Sequence, residues 1–243
     1  HQFHFDCTQR GFEEVMIYFH LDRAIRYLES LGYEGDRAIF RAPLPVNARG
    51  SRADNSWYSP GDRSLTFGTG GVDDAEDGEI ILHELGHALQ DAICPDFGQS
   101  PEAAAMGEGF GDYFAASFFA DKKPARFRNA IGSWDSVSLE SADVPFLRRV
   151  DETITYESFD HSPGADEHEN GKIWSASLWE IWRALGRDIA DRIIIDSHFQ
   201  LDGFTCFAKG ARAIIDADHN LYDGEHRDVL RRIFRRRGIG PVE

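Results

Sequence analysis

At 243 residues with a formal net charge of −16, the chain is unsuited to general nucleic-acid binding, because its own field repels a polyanion. Its 42% hydrophobic and 12% aromatic residues exclude disorder and suffice for one large domain or two packed lobes, and no run of 18 apolar residues exists to span a bilayer. Cys7, Cys94 and Cys206 lack any CxxC-like spacing and form no metal motif; at most one pair can be a disulfide, Cys7 with Cys206 being one alternative.

The start, His1-Gln2-Phe3-His4, has no basic stretch followed by an apolar one, so a signal peptide, if one existed, is expected to be already removed. From Phe12 to Leu31 the apolar residues Val15, Tyr18, Phe19, Leu21, Ile25, Leu28 and Leu31 recur at helical spacing, and Gly32 follows as a stop. Between Arg37 and Phe67 short extended pieces are broken by Pro43, Pro45, Pro60 and Gly61, which predicts a small sheet. Asn55–Tyr58 and Leu65–Gly68 read as a hairpin near its edge. Asp73, Asp74, Glu76, Asp77 and Glu79 then precede a helix, where acidic side chains cap the end and complement its dipole. Helices are predicted over Glu76–Ile93, Pro101–Ala120, Gly171–Leu185, Ile189–Phe199, Thr205–Asp216 and Gly224–Arg237. The segment from Lys122 to Gly164 has weak periodicity and is rich in Ser, Asp and Pro, as expected of loops around a cleft or around bound ions. Asp216-Ala217-Asp218-His219-Asn220 begins like an EF-hand loop but has Leu221 and Arg227 where Gly and Glu are required. Arg231, Arg232, Arg235, Arg236 and Arg237 sit in the last turns of a helix, where cations oppose the negative dipole end.

The helix over Glu76–Ile93 carries His83-Glu84-Leu85-Gly86-His87, an H-E-x-x-H pattern. Histidines at i and i+4 lie on one face and supply two nitrogens to a metal without loop closure. Glu84 then stands beside the metal, placed to take a proton from metal-bound water. Two histidines that merely hydrogen-bond to neighbours would fit poorly in a stretch as apolar as Ile80-Ile81-Leu82, where unpartnered polar groups are costly. The next helix offers Glu108 and Asp112 at i and i+4, Glu108 as a third ligand and Asp112 as the carboxylate that orients a ligand imidazole.

The pairing of His83-Glu84-Leu85-Gly86-His87 with Gly107-Glu108-Gly109-Phe110-Gly111-Asp112 resembles the thermolysin and fungalysin families of zinc peptidases, fungalysins being nearer. That resemblance implies one zinc ion per chain on His83, His87 and Glu108, with Glu84 as general base. It also implies that Asn55, Ser56 and Trp57 belong to an edge strand that pairs with an extended peptide. Asp166-Glu167-His168-Glu169-Asn170-Gly171-Lys172-Ile173-Trp174 is similar to the fungalysin segment that carries the active-site histidine, here His168, which stabilises the oxyanion. His161, seven residues upstream, is a competitor for that role. No Tyr lies between His87 and Glu108, so the oxyanion-assisting tyrosine of thermolysin has no counterpart there, and Asp160, Asp166 and Glu167 are all candidates to orient His168. The end of the chain, Arg237-Gly238-Ile239-Gly240, also resembles the close of the family's last helix. Calcium near Asp73–Glu79, a hydrophobic preference on the primed side, and secretion as a processed proenzyme follow as implications of the same likeness.

The expectation is thus a two-lobed α+β zincin fold: an N-terminal lobe over 1–93, including the H-E-x-x-H helix at the cleft floor, and a helical lobe over 94–243, together one catalytic domain. The expected function is that of a monomeric zinc metalloendopeptidase acting on proteins or peptides, without nucleic acid or a membrane span. Alternatives are an inert or latent binding module on the same fold, and a zinc aminopeptidase, although Gly68-Thr69-Gly70-Gly71-Val72 is not the GxMEN-type amine-binding motif usual there.

Overall fold

A computed structural model describes residues 3–138 and 145–240. Helix α1 (Gly11–Ser30) buries Ile17, Ala24 and Leu28 along one stripe and stops at Gly32, whose φ of 97° suits glycine. Strands β1 (Val46–Ser51), β2 (Trp57–Ser59) and β3 (Ser64–Gly68) form a sheet in the order β1-β3-β2. β1 runs parallel to β3, while β2 pairs antiparallel with it, Trp57 opposite Thr66 and Tyr58 opposite Leu65. The central strand points Leu65 and Phe67 into the core, and among the described residues β2 is an edge strand of this sheet, its Tyr58 backbone meeting the Glu84 carboxylate.

Helix α2 (Gly78–Ile93) starts at Asp77, whose Oδ1 accepts the Glu79 N–H at 2.8 Å, and is buried on nearly every face. Helix α3 (Pro101–Phe119) is capped by Ser100, with Pro101 in the first turn where its missing N–H costs nothing. The two helices cross closely: a Cβ on Gly86 would lie 2.9 Å from the Cα of Gly111. After α3 come turns and a two-stranded ribbon of β4 (Ala130–Ile131) and β5 (Arg148–Arg149). The long weakly periodic segment is therefore mostly loop, and its residues 139–144 lie outside the described ones. Helices α4 (Glu167–Leu185), α5 (Arg187–Ser197), α6 (Phe207–Tyr222) and α7 (Arg227–Arg236) complete the α+β fold.

The structure departs from or goes beyond the sequence expectations in four places. α4 begins at Glu167 rather than Gly171, because the Asp166 carboxylate caps it at the His168 N–H, 2.9 Å away. α6 runs on to Tyr222 rather than ending at Asp216, and within the added stretch buried Asp218 takes the His226 N–H and ring. Cys7, Cys94 and Cys206 are all free, which removes the Cys7–Cys206 pairing. Arg237, at the end of α7, does more than oppose the helix dipole: it is 4% exposed, donates to the carbonyls of Glu152 and Ile154 at 2.7 Å, and pairs with Glu180. Among the described residues no helix is long and apolar enough to cross a membrane.

Candidate metal centre and cleft

A cleft of about 500 Å³ is lined by β2, α2, α3, the loop before β5 and the start of α4. On α2, His83 and His87 bring their Nε2 atoms to 3.2 Å. Glu108 of α3 meets both, Oε2 lying 3.2 Å from His83 Nε2 and Oε1 3.4 Å from His87 Nε2. Tetrahedral zinc ligands at 2.0–2.1 Å stand about 3.3 Å apart, so these three spacings suit a zinc-sized ion at their centre. The buried Oε2 of Glu84 lacks a hydrogen-bond partner, and Glu108 Oε2 faces imidazole nitrogens only, consistent with a centre built around a cation and water.

The close crossing of α2 and α3 is what makes the set possible. A Cβ at Gly111 would come within 2.8 Å of His83 Nδ1, so only glycine leaves room for the ring. On the same helix Asp112 Oδ1 lies 2.9 Å from His83 Nδ1. Asp112 is in turn gripped by Arg148 of β5, whose Nε and Nη2 each donate over 2.7 Å. Burial alone would raise the Asp112 carboxyl, but Arg148 and His83 outweigh it and hold it well below the usual carboxylate range. Glu108 behaves alike: burial opposes its charge, yet the surrounding histidines hold it at about 2. Glu84 is different, since burial dominates and raises it to about 7, against the lowering effects of His83 and Arg148.

His168 lies on the first turn of α4 with Nε2 3.1 Å from Glu108 Oε2. Its Nδ1 is 3.1 Å from Asp166, so Asp166, rather than Asp160 or Glu167, contacts the ring as well as capping the helix. His161 packs on Phe159 instead and does not line the cleft. Asn55, Ser56 and Trp57 do line it, Trp57 being 39% exposed. The Ser56 hydroxyl is occupied, donating to Asp74 at 2.5 Å and accepting the Gly68 N–H, so this residue offers a peptide its backbone only.

The acidic run before α2 does not form one ion site. Asp77 accepts backbone N–H groups from Glu79, Trp134 and Asp135, and Glu79 is paired with Lys123. Asp73 joins Glu13, Glu76 and the Arg49 guanidinium, while Asp74 turns toward Asp54 and Asp135 in the cleft. Arg148, Leu147 and Asp135 are cleft residues that no local signal marks: they lie in the weakly periodic segment, far in sequence from the helices they complement.

Residues 68–242 match the family model described as fungalysin metallopeptidase (M36), which is well over half of the chain. The chain belongs to the fungalysin metallopeptidase family. Among similar curated proteins, "Extracellular metalloproteinase 2" of Trichophyton tonsurans is 26% identical over 190 residues, covering 66% of this chain and 30% of that protein. "Extracellular metalloproteinase 3" of Arthroderma gypseum is 23% identical over 188 residues with the same coverages. The alignment thus spans about 30% of the length of these curated relatives. A solved precursor of protealysin, a metalloproteinase from Serratia proteamaculans, superposes with a TM-score of 0.74 over 97% of this chain and 81% of that one. At 16% identity it supports the thermolysin-like fold and no more. The family match begins at β3, so the fungalysin assignment covers α2, α3 and α4, whereas the edge strand β2 lies outside it.

Proposed function

We propose that this fungalysin-family chain is a zinc metalloendopeptidase in which His83, His87 and Glu108 hold one zinc ion. The observation that carries the proposal is the approach of His83 Nε2, His87 Nε2 and the Glu108 carboxylate to 3.2–3.4 Å of one another, beside a buried Glu84. A zinc ion held there would polarise a scissile carbonyl and lower the pKa of water to about 7.

The protein's own groups do the rest. Glu84 takes the proton of the attacking water at its carboxylate and delivers it to the leaving amine nitrogen; a carboxyl raised by burial is well poised for both transfers. His168, oriented through Asp166, donates to the oxygen that becomes negative in the tetrahedral state. Asp112 and Arg148 keep the His83 ring fixed. An extended peptide adds to the edge strand β2 beside Asn55 and Trp57, residues 1–93 and 94–243 serving as the two walls of one catalytic domain. Water is the nucleophile, so no covalent enzyme intermediate forms. The names of the fungal relatives support an extracellular setting with protein or peptide substrates.

Elemental analysis together with cleavage of casein and of N-terminally blocked peptides tests this for the wild type and Glu84→Gln. About one zinc per chain in both proteins, with cleavage reduced by about 10²–10⁴-fold in the variant, is the expected result. Failure of the wild type to take up zinc would sink the ligand assignment; zinc without cleavage would favour a binding module, and cleavage restricted to free amino termini an aminopeptidase.

A further inference from the structure

We propose that one end of this cleft is a recognition pocket for a cationic side chain, so that lysine or arginine is selected at a residue adjoining the scissile bond. The inference rests on the peptidase reading above and names its substrate class. Asp54 from the β1–β2 loop, Asp74 from the turn before α2 and Asp135 from the turn after β4 present carboxylate oxygens within 4.8 Å of one another. All three line the cleft that also contains His83, Glu84 and His168.

Asp74 is 3% exposed; its Oδ2 takes the Ser56 hydroxyl, while its buried Oδ1 has no hydrogen-bond donor within reach apart from the Asp135 carboxyl that its side chain meets. A buried acceptor left open in a substrate cleft implies a donor that arrives with the ligand. Clustered carboxylates remain ionised together only around positive charge. Here burial together with Asp74, Asp54 and Asp77 pushes the Asp135 carboxyl up to about 7. Ile80, one helical turn of about 5.4 Å from Glu84, lines the same cleft, as does Leu147. Apolar side chains beside an anionic end suit an aliphatic stem with a cationic tip, as in lysine and arginine. A leucine or phenylalanine there would cover the carboxylates and offer them no donor.

The same oxygens could face a metal cation, but the surroundings favour the substrate. Calcium takes about six to eight oxygen ligands. Here one Asp74 oxygen is committed to Ser56, and neighbouring Asp77 is spent on the N–H groups of Glu79, Trp134 and Asp135.

The test is digestion of a proteome-derived peptide library by the zinc-loaded protein, with cut sites mapped by mass spectrometry, for the wild type, Asp135→Asn and Asp54→Asn. Asp54 is exposed, so its variant guards against misfolding at Asp135. The expected result is lysine and arginine enriched at one position beside the cut, with their advantage over leucine reduced about tenfold or more in both variants. Efficient cutting with apolar residues dominating every position overturns the pocket and leaves the peptidase reading intact. Absence of any cutting counts against the peptidase reading, and the pocket is then decided by titration with Nα-acetyl-lysine amide against Nα-acetyl-leucine amide: saturable binding of the lysine compound alone, weakened in Asp54→Asn, supports it, and equal or no binding overturns it. A calcium-dependent rise in melting temperature that both variants abolish, without any lysine or arginine preference in the wild type, assigns the carboxylates to a metal and overturns it as well.

Discussion

His198 has no motif spacing, yet its environment is among the most defined in the chain. Its Nδ1 lies 2.9 Å from the Ile194 carbonyl and its Nε2 3.1 Å from the Gln90 amide, an arrangement that a neutral ring satisfies by donating to the first and accepting from the second. Burial depresses its pKa to about 4 from 6.5. A folded value below the unfolded one means that stability is fully present above pH 6.5 and is lost as pH falls toward 4, where the unfolded chain binds the proton first. Comparing wild type with His198→Gln by urea unfolding, the wild type should lose roughly 2–3 kcal/mol more than the variant between pH 7 and pH 4.5. Arg148 is the other residue that only the fold reveals. Arg148→Ala leaves Asp112 buried beside His83 alone, and the expected cost is about 3 kcal/mol by urea unfolding at pH 7. By contrast the pairs His83–His87 and Glu108–Asp112, with Glu84 between the histidines, are legible in the sequence, because one helical turn brings i and i+4 to the same face wherever the helix sits.

In the proposed zinc site, helix α2 gives His83 and His87 their direction, and α3 closes the set with Glu108. Where they cross, Gly111 is the tolerance that decides the outcome, since an added methyl would press on His83 Nδ1 at 2.8 Å. Gly111→Ala should tilt the ring away from Asp112 and lower zinc affinity about 10–100-fold, measured by competition with a chromogenic chelator, while the far-ultraviolet helical signal is kept. α4 illustrates what spacing misses at an element's end. The periodicity of its apolar face starts near Gly171, but the cap at Asp166 adds a first turn of polar residues, and His168 is on that turn. Edge position is expected from the sequence, and the sheet order β1-β3-β2 places Trp57–Ser59 there; the strands it is ordered against are a tertiary matter.

A net charge of −16 on 243 residues biases every encounter toward cationic partners, and three carboxylates in the cleft extend that bias to the site. For a lysine-rich peptide kcat/KM should therefore fall as salt rises from about 0.05 to 0.5 M and the screening length shortens, while a neutral peptide changes little. Steady-state cleavage of a matched peptide pair across that range checks it. The same comparison separates what was local from what was not. By itself the sequence determined the helices, the hairpin, the fungalysin likeness and the pairing of an H-E-x-x-H helix with an acidic one, because capping, periodicity and i, i+4 spacing act within a few residues. Only the tertiary structure decided that Arg148 grips Asp112, that Asp166 contacts the His168 ring, and that Asp54, Asp74 and Asp135 come together in the cleft. Those groups are joined by packing of segments tens of residues apart, where charge and burial act through space and leave no periodic trace along the chain.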